Sequence, residues 1–377
     1  MIKMLFDLIK LSVSLILSFF IKKYRDTYIF CERGYDAGDN GFNMFEYFIK
    51  MKQNCVYVIS KKSIDYEKVS LIGKTIEYNS IMHGIAYFTA KGLISTHPPL
   101  CSPSWRGINK FNKLFPKYVK GKKIFLQHGI IKDWLPNLTA KNFHPDLFIC
   151  GAKLEYDYII STYGFSNDIV KYTGLARYDL LKESKNKNKF ILFMPTWRNY
   201  MKNYTKKQFI NSEYYLEIMK ILNSDEINKV LQIKEIELIF YPHYEIQKWI
   251  NLFKSNSSKV KIANMNSFSI QWLIKNCTLL ITDYSSVFFD VAYMKKPIVF
   301  YQTDYEKYRD KHYKEGYFDY NNSFGYIANN YDELIKILKS SKSYSMTWFQ
   351  KKEVDKYFLY KDDNNRKRIY EEILKLG

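Results

Sequence analysis

The chain alternates short, unbroken apolar runs with longer stretches in which apolar positions return every three or four residues. Runs of the first kind suit strands buried on both faces, and the second periodicity suits amphipathic helices. The pattern predicts strands at Tyr28–Cys31, Val56–Ser60, Gly92–Thr96, Lys123–Gln127, Leu147–Cys150 and Val170–Thr173. A second series is predicted at Phe190–Met194, Glu237–Tyr241, Lys259–Ile262, Leu279–Thr282 and Ile298–Tyr301. Helical patterns fall between them at Phe42–Lys52, Leu154–Tyr163, Ser212–Leu222, Ser269–Lys275 and Val287–Met294, with a final one at Arg366–Leu376. Strands alternating with helices predict βα units and parallel sheets. The charged, Asn-rich stretch Lys182–Lys189 is the natural boundary between two Rossmann-like halves, 27–185 and 186–377, the second carrying the final helix.

Residues 1–26 follow a different pattern. Lys3, Asp7, Lys10, Ser14 and Ser18 fall on one stripe of a helix, Leu, Ile, Phe and Val fill the rest, and Lys22, Lys23 and Arg25 follow. The uncharged run Leu11–Ile21 is too short to span a bilayer core of ~30 Å. The expectation is an amphipathic helix lying in the membrane interface, its basic neighbours reaching anionic headgroups. A helix packed on the protein's own core, or used for homo-oligomerisation, is the competing reading.

Composition narrows the function classes. Lys and Arg exceed Asp and Glu by 58 to 38, a net charge of +20, which calls for an anionic partner: nucleic acid, membrane surface or a phosphate-bearing substrate. Part of the excess fits the lysine bias of an AT-rich genome. The basic residues are spread along the chain without an RRM, helix-turn-helix or zinc pattern, which argues against nucleic acid. The five cysteines are scattered and form no CxxC pair, as expected of buried free thiols in a reducing compartment.

Parallel sheets bind ligands beyond the carboxyl ends of their strands, so residues just after each strand are the candidates. Gln127-His128-Gly129 follows one strand directly; a histidine there can take a proton from a hydroxyl nucleophile, with Lys132 and Asp133 to orient or charge the site. Pro242-His243 follows another, and His243 could donate to a phosphate oxygen. In Pro195-Thr196-Trp197-Arg198, Thr196 offers a hydroxyl and Arg198 a planar fork suited to phosphate, or the segment is a loop cap with a surface arginine. Asp283-Tyr284-Ser285-Ser286 closes a strand ahead of a helix, where hydroxyls and unpaired N–H groups suit a pyrophosphate; Asp290, one turn in, could meet a ribose hydroxyl or simply complement the helix dipole. Gly38-Asp39-Asn40 opens onto a helix and could hold an acceptor, or is a plain turn and cap. No GxGxxG or P-loop pattern occurs, and no carboxylate cluster has metal-cage spacing, so neither a cofactor nor a metal is expected.

Taken in order, Gly38-Asp39-Asn40, Gln127-His128-Gly129, Gly174–Asp179, Pro195–Arg198, Pro242-His243, Thr282–Ser286 with Asp290, Lys296–Tyr301 and Gly316–Tyr320 resemble the CDP-glycerol glycerophosphotransferase family, the teichoic-acid primases and polymerases. The resemblance covers roughly Arg33 to Arg368. It implies a GT-B-like α/β fold, two Rossmann-like domains facing a central cleft. It also implies transfer of glycerol phosphate from CDP-glycerol to a hydroxyl of a lipid-linked or polymeric glycan acceptor, releasing CMP, at the cytoplasmic face of the bacterial plasma membrane. By motif, His128 is then the general base, His243 faces the pyrophosphate, and Ser285, Ser286, Asp290, Thr196 and Arg198 hold the donor. A CDP-ribitol donor would use much the same motifs, and a nucleotide-sugar glycosyltransferase would share the fold. The long N-terminal region of processive polymerases does not precede these motifs, which favours a primase-like or single-addition enzyme.

Overall fold

The computed structural model of the chain describes residues 2–181, 189–264 and 268–377. The boundary expected at 185/186 lies outside the described residues. The chain divides into two compact units, one of Met1–Ile130, Pro136–Leu180 and Tyr360–Gly377, the other of Ile131–Leu135 and Leu181–Leu359. The final helix, Asn365–Leu374, therefore belongs with the first unit and not, as expected, with the residues that precede it.

The first unit holds a sheet of seven parallel strands: β1 Tyr28–Cys31, β2 Cys55–Ile59, β3 Thr75–Glu77, β4 Gly92–Ser95, β5 Lys122–Phe125, β6 Leu147–Cys150 and β7 Val170–Tyr172, in the order β3-β2-β1-β4-β5-β6-β7. Alternation along each strand splits its side chains between two cores. Tyr28 and Phe30 pack on one face with Phe45, Phe48 and Ile369, while Ile29 and Cys31 pack on the other with Ile85, Phe88 and Trp105. Burial on both faces explains why these strands read as unbroken apolar runs. The second unit holds six parallel strands: β8 Phe190–Met194, β9 Glu237–Phe240, β10 Val260–Ile262, β11 Leu279–Thr282, β12 Ile298–Tyr301 and β13 Tyr326–Ala328, in the order β10-β9-β8-β11-β12-β13.

Strand order reverses between β1 and β4 in the first sheet and between β8 and β11 in the second. The crevice beyond the carboxyl ends at such a reversal is where open α/β sheets take ligands. In the first unit this points at residues after Cys31 and Ser95, and in the second at residues after Met194 and Thr282.

The N-terminal helix, Ile2–Phe20, is turned the opposite way to a free amphipathic helix. Its polar stripe faces the protein: Ser14 Oγ donates to Ile81 O at 3.1 Å, Lys10 Nζ to Asn79 O at 3.2 Å, and Asp7 Oδ2 accepts from Arg106 N at 3.2 Å. Gly84 makes the close approach of helix Ile81–Thr89 feasible, since a Cβ there would lie 2.5 Å from Ser14 Oγ. No described helix is long and apolar enough to cross a membrane. All five cysteines are buried and unbonded, as expected.

Candidate functional site

In the first unit the Gln127-His128-Gly129 turn is held by a network of buried polar groups. Gln127 adopts a left-handed backbone (φ 59°), a conformation that costs a non-glycine residue and ends β5 at Phe125, two residues before its expected end. Asn40 Nδ2 donates to Gln127 O at 2.7 Å, and Gln127 Nε2 donates to Ile149 O at 2.5 Å. Arg177 closes the network: its backbone N donates to Asn40 Oδ1 at 3.0 Å, and its Nη1 reaches Asp39 Oδ1 at 2.7 Å and His128 O at 3.0 Å. Glu32, just past β1, accepts from the backbone N–H groups of Gly38, Asp39 and Phe42 and so anchors the loop that carries Asp39 and Asn40. Asn40 is fully buried with its side chain spent on this turn, so the structure makes it a positioning group and not the acceptor contact expected of it. Gly38 has open space above its Cα.

The His128 ring keeps exposed surface and stacks on His97, with centroids 4.4 Å apart and planes 10° from parallel. Crowding by surrounding protein lowers the His128 pKa; Asp39 and a hydrogen bond to the Thr96 backbone work against this, while Arg177 and Arg33 add to it. His97, whose Nδ1 lies 2.8 Å from Thr96 Oγ1, is pushed down to about 2 by burial and by the neighbouring His128 and Arg33 charges. Sequence reasoning did not single out His97, although it lies two residues past β4 and the rule that found His128 applies to it. Beside it, at the reversal between β1 and β4, lies a cavity of about 350 Å³ lined by Glu32, Arg33, His97, Trp105 and Asn109.

In the second unit the reversal point is tied by charge. Asp283 Oδ1 accepts from Thr196 N at 2.7 Å and Tyr284 N at 2.6 Å, bridging the ends of β8 and β11, and its Oδ2 pairs with Arg198 Nη1 at 2.8 Å. Arg198 also binds Asp304 through Nε and Nη2, both at 2.8 Å, and Thr196 O through Nη1. Tyr284 and Tyr308 lie against its guanidinium, 5.0 and 5.3 Å from ring centroid to Cζ. Burial opposes its charge, but the two carboxylates outweigh this and raise its pKa. Arg198 is thus a buried tie between strand ends, neither the phosphate fork nor the surface arginine that the sequence left open. Thr196 Oγ1 and, in an adjoining cavity of about 650 Å³, Tyr214 Oη and Gln302 Nε2 are buried with no hydrogen-bond partner among the described residues.

His243 lies partly exposed, its Nδ1 accepting from Glu245 N at 3.3 Å, which leaves the neutral ring protonated on Nε2. It stacks on Trp197 with centroids 6.0 Å apart. Trp197 also meets His312 edge-on, and burial lowers the His312 pKa to about 4. Ser285 and Ser286 are partly buried, and the helix after them is only Phe288–Tyr293, six residues, so both serines sit in the turn before it. Asp290 is buried in its first turn. Lys132 and Asp133, expected in the acceptor domain, pack in the second unit. Lys132 Nζ pairs with Asp133 Oδ2 at 2.5 Å, and Arg309 Nη1 with Asp133 Oδ1 at 2.6 Å. The Gly316–Tyr320 motif secures that segment: a Cβ on Gly316 would lie 2.2 Å from Lys132 O, and Tyr317 N donates to the same oxygen.

The sequence model of the CDP-glycerol:poly(glycerophosphate) glycerophosphotransferase family matches residues 13–375. The chain belongs to this family. Similar curated proteins include the minor teichoic acid biosynthesis protein GgaB of Bacillus subtilis, 34% identical over 95% of this chain and 41% of its own length. The teichoic acid poly(glycerol phosphate) polymerase of Bacillus spizizenii is 27% identical over 64% of each chain. The chain thus spans between two fifths and two thirds of the length of these relatives. Among solved structures, a variant of the wall teichoic acid polymerase TagF aligns with a TM-score of 0.71 at 19% identity, covering 96% of this chain and 94% of that one. A UDP-GlcNAc 2-epimerase from Methanocaldococcus jannaschii aligns with a TM-score of 0.54 at 12% identity, over 93% of this chain and 99% of that one. The chain shares with these structures the fold of two parallel-sheet α/β domains that the motif order implied.

Proposed function

We propose that the chain transfers glycerol phosphate from CDP-glycerol to a hydroxyl of a membrane-linked glycan or polyol-phosphate acceptor, releasing CMP, in teichoic acid or capsule synthesis. The family match over residues 13–375, which runs through both units, is the observation that carries this reading. His128 takes the proton of the acceptor hydroxyl. The hydroxyl oxygen attacks the β-phosphorus, the bond from that phosphorus to the bridging oxygen breaks, and CMP leaves with the electron pair. A histidine with a lowered pKa is neutral at pH 7 and so ready to accept a proton. Arg177, Asn40 and Asp39 fix the backbone that carries it, which places the base before the substrate arrives.

In the second unit Ser285, Ser286, His243 and the unpartnered Thr196 hydroxyl are the groups offered to the donor phosphates and ribose, with Asp290 behind them. Preorganised donors at the oxygens where charge grows contribute most to such a transfer. The enzyme works at the cytoplasmic face of the plasma membrane as a peripheral protein, where its acceptor is anchored.

The test is a donor screen. The protein is incubated with a lipid-linked acceptor and CDP-glycerol, CDP-ribitol or a UDP-sugar, and nucleotide release is followed. CMP from CDP-glycerol is the expected product; consumption of only the ribitol donor or only the sugar donor sinks the proposal. The ribitol arm is included because a teichoic acid poly(ribitol-phosphate) polymerase of Bacillus spizizenii is 30% identical over 46% of this chain.

A further inference from the structure

One imidazole beside the base has no part in the transfer step. His97 has its backbone pinned by the buried Ser95 hydroxyl, which accepts from His97 N at 3.2 Å and donates to His97 O at 3.1 Å. Its ring lies flat on the His128 ring, with centroids 4.4 Å apart and planes 10° from parallel. Thr96, fully buried, serves both rings. Its Oγ1 lies 2.8 Å from His97 Nδ1, and its backbone carbonyl accepts from the His128 imidazole.

A hydrogen bond to the Thr96 carbonyl requires one ring nitrogen of His128 to carry a proton, so in the neutral ring the other nitrogen holds the lone pair. That bond alone does not fix the ring, because the terminal torsion of a histidine is broad. A flat neighbour does: turning the His128 ring would drive its edge into His97. His97 also lines the cavity of about 350 Å³ with Glu32, Arg33 and Trp105, and is thus the ring that meets this space. The charged groups facing the stacked pair are Arg33 and, around His128, Asp39 and Arg177. Burial and the Arg33 and His128 charges keep His97 itself neutral. A neutral ring can lie against the imidazolium formed during transfer without repelling it, which a second charged ring could not.

We infer that His97 is a positioning residue for the base: tied to His128 through Thr96 and stacked on it, it holds the His128 ring in one orientation, with the lone-pair nitrogen presented to the acceptor hydroxyl, and shields the covered face from water. The inference rests on the reading of His128 as the base. His97 touches no reacting atom. Its flat face does the work and not its nitrogens, so another flat ring should serve in its place and a small side chain should not.

The His128 titration, followed by NMR of the full chain carrying isotope-labelled histidine, tests this without donor or acceptor. His97→Ala lets water reach the covered face, which favours the charged ring, so the His128 midpoint should rise from its lowered value toward 6.5. His97→Phe should leave it low. With CDP-glycerol and a lipid-linked acceptor, His97→Ala should lose about ten- to a hundredfold in kcat with KM for the donor unchanged. The acid limb of kcat/KM should move up in pH with the midpoint. His97→Phe should restore most of the rate. Thr96→Val keeps the carbonyl and removes the hydroxyl, and should move both readouts as His97→Ala does, by less. Circular dichroism checks that each variant is folded, and the Phe and Val variants decide the matter if the Ala variant is not. An unchanged midpoint and kcat in His97→Ala, a raised KM alone, or a folded His97→Phe as slow as His97→Ala would each overturn the inference. Were wild type to release no CMP from any donor, the transferase reading would fail, and the midpoints of the Ala and Phe variants would still decide whether His97 sets the His128 ring.

Discussion

His128 is held through its backbone, and its ring, stacked on His97, is the base in the proposed reaction. Arg177 binds the His128 carbonyl and Asn40 binds the carbonyl before it, so the left-handed turn at Gln127 is maintained by side chains from elsewhere in the unit. Replacing His128 by Ala should therefore leave the melting temperature near wild type while transfer falls by ~10²–10⁴, the usual worth of a general base. Near wild-type CMP release by that variant would remove the assignment. The base must be unprotonated, so kcat/KM should fall as pH drops through the folded His128 pKa. Because that pKa is lowered from 6.5, the acid limb should lie below pH 6.5. A limb above it would mean that another group titrates. Arg198 leads to the opposite expectation. Arg198→Ala strands Asp283 and Asp304 beside one another, and losing one partner of a buried ion pair costs about 3–5 kcal/mol. The variant should thus lose stability in chemical denaturation; normal stability with only a raised KM for donor would restore the phosphate-fork reading.

Elements differ in how plainly the chain announced them. The inner strands β1, β2, β6, β8 and β11 were legible because burial on both faces leaves unbroken apolar runs. All four edge strands are three residues long and only partly buried; β7 and β10 were legible, whereas β3 and β13 were missed. Motifs placed His128, His243, Ser285 and Ser286 at strand ends, but a motif does not say which partner a side chain meets. Nothing local to Arg198 reveals Asp304, 106 positions later, and nothing local to the Gly174–Asp179 motif reveals the final helix. That motif serves as a cap: Asp179 accepts from the backbone N–H groups of Asn365 and Arg366 at 2.9 and 3.0 Å, at the positive end of Asn365–Leu374. Gly174, at φ +80°, leaves room for Asn365, whose Oδ1 would sit 2.1 Å from a Cβ there. Asp179→Ala should cost about 1–2 kcal/mol, as loss of an N-cap does. Amide exchange across 365–374 should quicken more than exchange in β8 or β11. A uniform change across the chain would contradict a local cap.

At the scale of the molecule, neither unit is one continuous piece of chain. It enters the second unit briefly at Ile131–Leu135, leaves, returns at Leu181, and gives its last residues, Tyr360–Gly377, back to the first. Each excursion carries groups the receiving unit uses. The first brings Asp133, which neutralises Arg309, and the last brings Ile369 and Ile373, fully buried in the core with Phe45 and Phe48. A cut at the polar stretch would therefore produce a fragment 186–377 with two defects. Arg309 would lose its carboxylate, and the apolar face of the final helix, with Ile369 and Ile373, would have no core to join. That fragment should bind a hydrophobic dye and elute as aggregates on gel filtration. A fragment 186–359, which removes the stranded helix, should bind less dye, and adding back Ile131–Leu135 through a flexible linker should raise its melting temperature. The order of the three fragments decides the matter: were 186–377 the most stable and monodisperse of them, the final helix would belong to the second unit and the division described by the contacts would be wrong.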